Sequence, residues 1–207
     1  MKITEVSVQK NNPSRVNVCV DGKYAFSMGD AEAVSFGIKT GREIEERELT
    51  NFLFESQFGK ARDKAMEILS RKSISSFCLG EELIKKGYDK IVVDTLIQEL
   101  KELGYVDDYA YALLFLEHCR EKLWGRKKAE YELKQKGIDQ NTIDDALFEV
   151  ALPDAEEISK HIGIKYAGED TEDFKVRQRI MRFFVSRGFE FSEINDAIKI
   201  YEDSKKD

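Results

Sequence analysis

The stretch "LKQKGIDQNTIDDAL", Leu133 to Leu147, has the same pattern as "LIKKGYDKIVVDTLI", Leu83 to Ile97. Each has Leu four residues before a glycine, Lys directly before it, Asp two residues after it and a β-branched residue six after it. A third stretch, "FVSRGFEFSEINDAI", keeps the apolar positions around Gly188. The three glycines, Gly87, Gly137 and Gly188, are 50 and 51 residues apart. A regular period with matching apolar positions predicts a repeated supersecondary unit.

Each unit is predicted to contain three helices. Glycine should end the second helix, because a left-handed residue after a helix is least costly without a Cβ. Asp89 and Asp139 are expected to cap the N-terminus of the third helix. The predicted helices are 58–71, 76–86 and 89–103, then 107–122, 125–136 and 139–150, then 154–167, 172–187 and 191–203.

Residues 2–28 have the alternation of a three-stranded antiparallel meander. In "RVNVCV" the valines fall at every second position, and the following Asp21-Gly22 suits a tight hairpin turn. Such a small sheet needs one face covered to be stable. A short helix from Asp30, its expected N-cap, to Gly37 is predicted to cover it. A longer helix is predicted from about Glu45.

The predicted fold is therefore mainly α. Three tandem three-helix repeats, resembling helix-turn-helix units, form an elongated array after a small N-terminal antiparallel β-meander plus helix. The predicted domains are an N-terminal extension, 1–57, and repeats at 58–106, 107–152 and 153–207. An array of this kind suits contacts along an extended partner.

Composition limits the classes of function. Among 207 residues, 35% are charged and the net charge is −7, which disfavours coating nucleic acid by charge alone. No segment is basic as a whole, so an anion-binding surface must be a local face. No apolar run approaches the roughly 18–20 residues that span a bilayer, and the N-terminus lacks a secretory apolar region. Three widely spaced cysteines indicate free thiols in a reducing cytoplasm.

Three stretches resemble one known family, the RecX proteins, which modulate the RecA recombinase. They are "ARDKAMEILSRKSISSFCLGEELIKKG", "ELGYVDDYAYALLFLEHCR" and "WGRKKAEYELKQKGI". The start, with "VDGKYAF", is similar to the extension of Gram-positive members. Gly80 departs from the family pattern, which has a helix former there, and the third repeat matches mainly through its apolar skeleton. The matching residues are Ala61, Ala65, Leu69, Arg71, Ser75, Leu79, Leu83, Gly87, Gly104, Tyr105, Asp107, Asp108, Tyr111, Ala112, Gly125, Leu133, Lys136, Gly137 and Ile138.

The resemblance implies a regulator that binds the RecA filament on single-stranded DNA. Family members lodge in the filament groove and inhibit strand exchange, ATP hydrolysis and coprotease activity. The resemblance thus implies roles in homologous recombination, DNA repair and the SOS response. It implies contact with single-stranded DNA through the filament, with weak direct binding as a further possibility, and a monomer.

Two helix faces are candidate partner-binding or DNA-binding surfaces. In the second repeat, aromatic and basic residues follow helical spacings of 3, 4 and 3, a pattern that suits phosphate contact with base stacking. The alternative is a solvated helix whose Trp and Tyr cap a neighbouring unit. In the third repeat, three cations fall at i, i+4 and i+7, and the alternative is pairing with acidic neighbours such as Glu172 and Asp173. The candidate residues are Arg120, Trp124, Arg126, Lys127, Lys128, Tyr131 and Lys134, and Lys175, Arg179 and Arg182.

The sequence offers little for catalysis. Asp107 and Asp108 diverge on a helix, and N-capping is the expected role of this pair. His118 and His161 belong to no metal-spaced set, and no phosphate-binding loop is present. A non-enzyme without cofactor or metal is expected. A direct nucleic-acid-binding protein and a passive helical adaptor remain alternatives to the recombinase regulator.

Overall fold

The computed structural model describes residues 1–205, so the last two residues of the predicted third repeat lie outside the described part. The described chain forms a small sheet followed by helices. Its strands are β1 (Ile3–Val8), β2 (Arg15–Val20) and β3 (Lys23–Gly29). Its helices are α1 (Asp30–Ser35), α2 (Glu46–Leu69), α3 (Ser76–Lys85), α4 (Lys90–Glu102), α5 (Asp108–Glu121), α6 (Arg126–Gln135), α7 (Gln140–Glu149), α8 (Ala155–Lys165), α9 (Phe174–Val185) and α10 (Phe191–Ser204).

The N-terminal sheet is the predicted antiparallel meander, with strand order β1-β2-β3. Asp21 and Gly22 both have positive φ, as a tight hairpin turn requires. The valines of β2 point to a core that includes Phe26, Ala33 and Phe52 from β3, α1 and α2. The expected cap at Asp30 is wrong by one residue. Gly29 holds the N-cap position, and its backbone N–H donates to the Glu32 carboxylate at 3.0 Å.

Helix α2 is longer than the sequence analysis predicted. It runs unbroken over 24 residues, so the predicted boundary after residue 57 falls inside it. Its first half packs on the sheet through Phe52, and its second half packs on α3 and α4 through Ala61 and Ala65. Gly59 does not interrupt the helix. The Glu32 carboxylate of α1 lies 3.3 Å from where a Cβ of Gly59 would stand, so a side chain there would crowd it.

The three helical repeats have the predicted corner at equivalent places. Gly87, Gly137 and Gly188 have φ of +91°, +73° and +88°, and each follows the second helix of its repeat. The residues four positions before them are fully buried in three separate cores. These residues are Leu83, Leu133 and Phe184. The glycine corner is therefore the structural basis of the repeated sequence pattern.

The third helices begin in two different ways. The Asp139 carboxylate accepts a hydrogen bond from the Thr142 N–H at 3.1 Å, which confirms the expected cap. Asp89 holds the same position but does not cap α4 with its side chain. Its carboxylate instead accepts from the side-chain amide of Gln57 at 2.7 Å, and its backbone N–H donates to the same side chain. The expectation of a side-chain cap at Asp89 is wrong, because its carboxylate binds Gln57 of α2 instead.

The described chain divides into two compact units, which meet between Val106 and Asp107. The first holds the sheet, α1 and the repeat α2–α4. The second holds the repeats α5–α7 and α8–α10, and both basic candidate faces lie in it.

Candidate partner-binding surfaces

Helix α6, which carries the first candidate face, begins on the backbone of the third repeat. Gly125 is its N-cap and has no side chain to accept the free N–H groups of the first turn. The Gly125 N–H donates to the Arg187 carbonyl at 2.8 Å, and the Lys127 N–H donates to the Gly188 carbonyl at 3.3 Å. The corner after α9 therefore supplies the cap that the α6 sequence lacks.

This contact leaves no room for side chains. A Cβ on Gly125 would lie 2.6 Å from the Gly188 carbonyl oxygen, and a Cβ on Gly188 would lie 2.4 Å from the Lys128 nitrogen. Leu123, just before the junction, has a left-handed φ of +54° and packs against the core of the third repeat. The second and third repeats are thus joined backbone to backbone. The fixed junction positions the basic first turn of α6.

Each cation in the first turn of α6 already has a partner within the protein. Arg126 lies 2.6 Å from the Glu130 carboxylate, and Lys127 lies 3.3 Å from the Glu190 carboxylate. The Lys128 ammonium lies 4.1 Å from the centre of the Trp124 ring. Positive charge is unfavourable at the N-terminus of a helix, and these partners offset it. These cations can meet an anionic partner only by sharing or exchanging their present contacts.

Trp124 does not lie on the predicted helical stripe, because it precedes α6. It is half-buried, packs edge-on against Phe115 at 6.4 Å and joins the core of the second repeat. The Lys122 ammonium lies 5.5 Å from the centre of the indole ring. The Trp is therefore part of its own repeat's packing, with two lysines over it.

Tyr131 and Lys134 do project from α6. Tyr131 is 61% exposed, and Lys134 is exposed in the last turn, where a cation suits the helix dipole. Within residues 1–205, Lys134 has no acidic partner. Arg120, the remaining candidate of this repeat, lies 3.4 Å from Glu157 of α8 and so bridges two repeats.

The α9 face combines one paired cation with two unpaired ones. Arg179 pairs with Glu169 and lies 5.9 Å from the Tyr166 ring. Arg182 donates only to the Gln178 carbonyl, at 3.4 Å, and Lys175 is exposed in the first turn. Among the described residues neither Arg182 nor Lys175 meets a carboxylate.

Asp173 caps α9 and, within residues 1–205, forms no ion pair with the cations of this face. Its carboxylate accepts hydrogen bonds from the backbone N–H groups of Lys175, at 2.6 Å, and Val176, at 3.3 Å. Burial raises the pKa of Tyr166, while the nearby Arg179 and Arg187 oppose that shift. The α9 face keeps two cations available for an anionic or acidic partner.

A third cluster, which was not predicted from the sequence, lies around Phe183. The Arg187 guanidinium carbon lies 3.8 Å from the centre of the Phe183 ring, and the Lys165 ammonium lies 4.5 Å from it. His161 stacks on the same ring at 5.8 Å, with the two planes 11° apart. Burial, and then the charges of Arg187 and Lys165, lower the pKa of His161. The spacing i, i+4 from His161 to Lys165 and from Phe183 to Arg187 was the available signal.

Asp107 and Cys119 both serve the structure of the second repeat. The Asp107 carboxylate accepts from the N–H groups of Tyr109 and Ala110, both at 2.9 Å, so it caps α5 as expected. Burial raises the pKa of the Cys119 thiol to about 12, with Glu132 adding to the shift. Residues 1–205 contain no group of three His, Cys, Asp or Glu side chains arranged to hold a metal ion. Nor is any helix in that range long and apolar enough to cross a membrane.

Comparison with known proteins gives matches along the chain. Residues 1–45 match the model of the regulatory protein RecX N-terminal domain. Residues 107–147 match that of the RecX second three-helix domain, and residues 155–198 that of the third.

Curated relatives align over nearly the whole chain. The regulatory protein RecX of Clostridium botulinum (strain Eklund 17B) is 30% identical over 202 residues, covering 96% of this chain and 95% of that protein. The RecX of Bacillus velezensis is 32% identical over 200 residues, covering 95% of this chain and 76% of that protein.

Solved structures have the same fold. A crystal structure of regulatory protein RecX superposes with a TM-score of 0.69 at 23% identity and covers 98% of both chains. That of RecX from Lactobacillus salivarius gives a TM-score of 0.60 at 19% identity, covering 70% of this chain and 97% of that one. The glycine corners, the three domain models and the full-length relatives agree, and this chain belongs to the RecX family of regulatory proteins.

Proposed function

We propose that this protein binds the RecA filament on single-stranded DNA and inhibits its activities. It does so in the filament groove, as a cytoplasmic monomer without catalytic activity or cofactor, and it limits strand exchange, ATP hydrolysis and coprotease activity. Its processes are then homologous recombination, DNA repair and the SOS response. The observation that carries the proposal is family membership over nearly the full length.

The α9 face is the contact that we propose first. Lys175 and Arg182 are exposed and meet no carboxylate in the described chain. They can therefore bind phosphate or acidic side chains without breaking an existing pair. Lys134 and Tyr131 of α6 offer a cation beside an exposed aromatic ring. Four further candidates would have to exchange their present carboxylate partners to bind the filament: Arg120, Arg126, Lys127 and Arg179. Lys128 and Trp124 would bind it as a pair, with the ammonium held over the indole ring.

The test is RecA ATPase on single-stranded DNA with this protein titrated in below one copy per RecA. Wild type should lower the ATPase rate at substoichiometric amounts. The double variant Lys175→Glu, Arg182→Glu should need about tenfold more protein for half inhibition, because losing roughly 1.4 kcal/mol of contact energy is a factor of ten. Circular dichroism should show unchanged helicity.

A matched control carries the same charge change in the other unit. Lys23 and Lys39 are exposed, so Lys23→Glu, Lys39→Glu changes the net charge equally without touching α9. This control should inhibit like wild type. Equal loss in both double variants would indicate a general effect of net charge and contradict the assignment to α9. ATP turnover by the purified protein alone would refute the non-catalytic reading.

Direct binding of single-stranded nucleic acid is a second candidate function, favoured by exposed Tyr131 beside the α6 cations. It predicts binding to labelled single-stranded DNA without RecA, with an affinity that falls steeply as salt rises. Tyr131→Ala would weaken that binding by a larger factor than it weakens RecA inhibition.

A further inference from the structure

An open groove lies between α3 and α4 of the first repeat. Its volume is about 280 Å³. Phe77, Gly80 and Ile84 lie on one face of α3, and Ile97 of α4 lies opposite. Phe77 is 51% exposed and Ile84 is 37% exposed, so the walls are apolar surface in contact with solvent. The groove exists because Gly80 has no side chain to fill it.

The other two repeats have a long side chain at the equivalent position. Aligned on the glycine corners, Gly80 corresponds to Glu130 of α6 and Met181 of α9. Glu130 holds Arg126, which also reaches across to Asp144 of α7 at 3.5 Å. Met181 packs against the core of the third repeat. The first repeat alone has a glycine where its sister repeats have a long side chain.

Glycine at this place is unfavourable for folding. Within a helix it is less stable than alanine. A Cβ on Gly80 would meet Val93 and Ile97 at 3.7 and 3.9 Å, which is ordinary contact distance. A side chain therefore fits without strain, and neither a turn nor a close backbone approach requires the glycine. The one structural effect of the glycine is therefore that the groove stays open.

The charges around the groove identify the kind of partner. Glu81 is exposed on its rim and has no ion pair among residues 1–205. Asp94, also on the rim, is paired with Lys90 at 2.7 Å. A rim with one unpaired carboxylate repels the phosphates of nucleic acid and attracts a cation. The walls favour an aliphatic or aromatic side chain.

We propose that the α3–α4 groove receives an apolar side chain of the protein partner, with a neighbouring Lys or Arg of that partner pairing with Glu81. The inference rests on the proposed function, since it takes the RecA filament as that partner. It adds a contact in the first unit to the basic faces of the second.

The experiment fills the groove without destabilising the helix. Gly80→Ala supplies the better helix former but leaves the groove open. Gly80→Met supplies the side chain that the third repeat has at this position. Both variants should unfold at the wild-type temperature or a few degrees higher. Gly80→Met should need at least about tenfold more protein for half inhibition of RecA ATPase, while Gly80→Ala should stay within about threefold of wild type.

A charge variant keeps the proposal testable if Gly80→Met fails to fold. Glu81→Arg changes only an exposed rim residue, and it should weaken inhibition by several fold, whereas Glu82→Gln, on a residue paired with Lys72, should not. If Gly80→Met inhibits RecA as strongly as wild type, the groove proposal is wrong and the proposed function still stands. If Gly80→Met is unfolded, the same conclusion follows from wild-type inhibition by Glu81→Arg. Absence of inhibition by wild type would instead refute the proposed function. If Gly80→Met weakens binding to single-stranded DNA alone, the groove serves nucleic acid and the proposal is wrong.

Discussion

Helices α6 and α9 are equivalent in their repeats, yet their first turns are capped in opposite ways. Helix α9 uses its own residue, Asp173, which accepts from two backbone N–H groups. Helix α6 has Gly125 at that position and relies on the carbonyls of Arg187 and Gly188 from the next repeat. One cap is local and the other is made only when two repeats meet.

These two kinds of cap have different consequences for how the repeats are joined. A local cap stabilises one helix whatever its neighbours do. A cap supplied by the neighbour links the stability of the second repeat to the folding of the third. It also occupies the Lys127 N–H and packs the Gly188 corner against the Lys128 nitrogen, so an incoming anion would meet side-chain cations there before the N–H groups of the first turn.

The largest expected effect comes from breaking the shared cap. Gly188→Ala forces a side chain into a left-handed residue and places Cβ 2.4 Å from the Lys128 nitrogen. We expect the free energy of unfolding to fall by about 3 kcal/mol or more, since left-handed strain and a backbone clash add. Urea unfolding followed by Trp124 fluorescence measures it, because this is the protein's single Trp and lies beside the junction.

Gly87→Ala is the matched control for that variant. Gly87 has a similar φ of +91°, but a Cβ there would have nothing within 4 Å. Only the strain remains, which costs about 1–2 kcal/mol. Equal losses in the two variants would mean that the close approach at Gly188 contributes nothing, and the contrast between local and shared caps would fail.

A smaller effect is expected from removing the local cap. Asp173→Ala should lower the free energy of unfolding by about 1 kcal/mol, because two backbone N–H groups lose their acceptor. Asp89→Ala is the comparison, since Asp89 makes no side-chain cap and its bond to Gln57 is exposed. It should cost only about 0.5 kcal/mol. If Asp89→Ala lowers the free energy of unfolding as much as Asp173→Ala does, Asp89 caps α4 after all, as the sequence predicted.

The sequence could predict whatever depends on nearby residues. Glycine corners, the cap at Asp139 and the strands around Asp21-Gly22 follow from local conformational preference, and they are confirmed. The second and third repeats were predicted to within a few residues at each helix end. The spacing of apolar residues decides which side of a helix is buried, and this spacing can be read directly from the sequence.

What the sequence could not predict depends on contacts between distant segments. Gly59 of α2 faces the carboxylate of Glu32 from α1, and the side chain of Asp89 binds Gln57. The partner of Lys127 is Glu190, more than sixty residues away in the chain. Helical spacing placed Trp124 on the α6 stripe, although the predicted helix, 125–136, already began after it. A basic stripe in sequence thus becomes a mixture of paired and free cations.

The smallest expected effect concerns pH and the cluster beside the shared cap. His161 stacks on Phe183 next to Arg187, whose carbonyl caps α6. Burial and the two nearby cations lower the folded pKa of His161, so below its unfolded pKa of about 6.5 the unfolded chain binds more protons. Stability should therefore decline as pH falls through that value and level off below the folded pKa. Urea unfolding midpoints at pH 7.5 and 5.5 measure this decline, and His161→Gln should make it smaller. If the decline is the same in His161→Gln, the titration of His161 does not cause it.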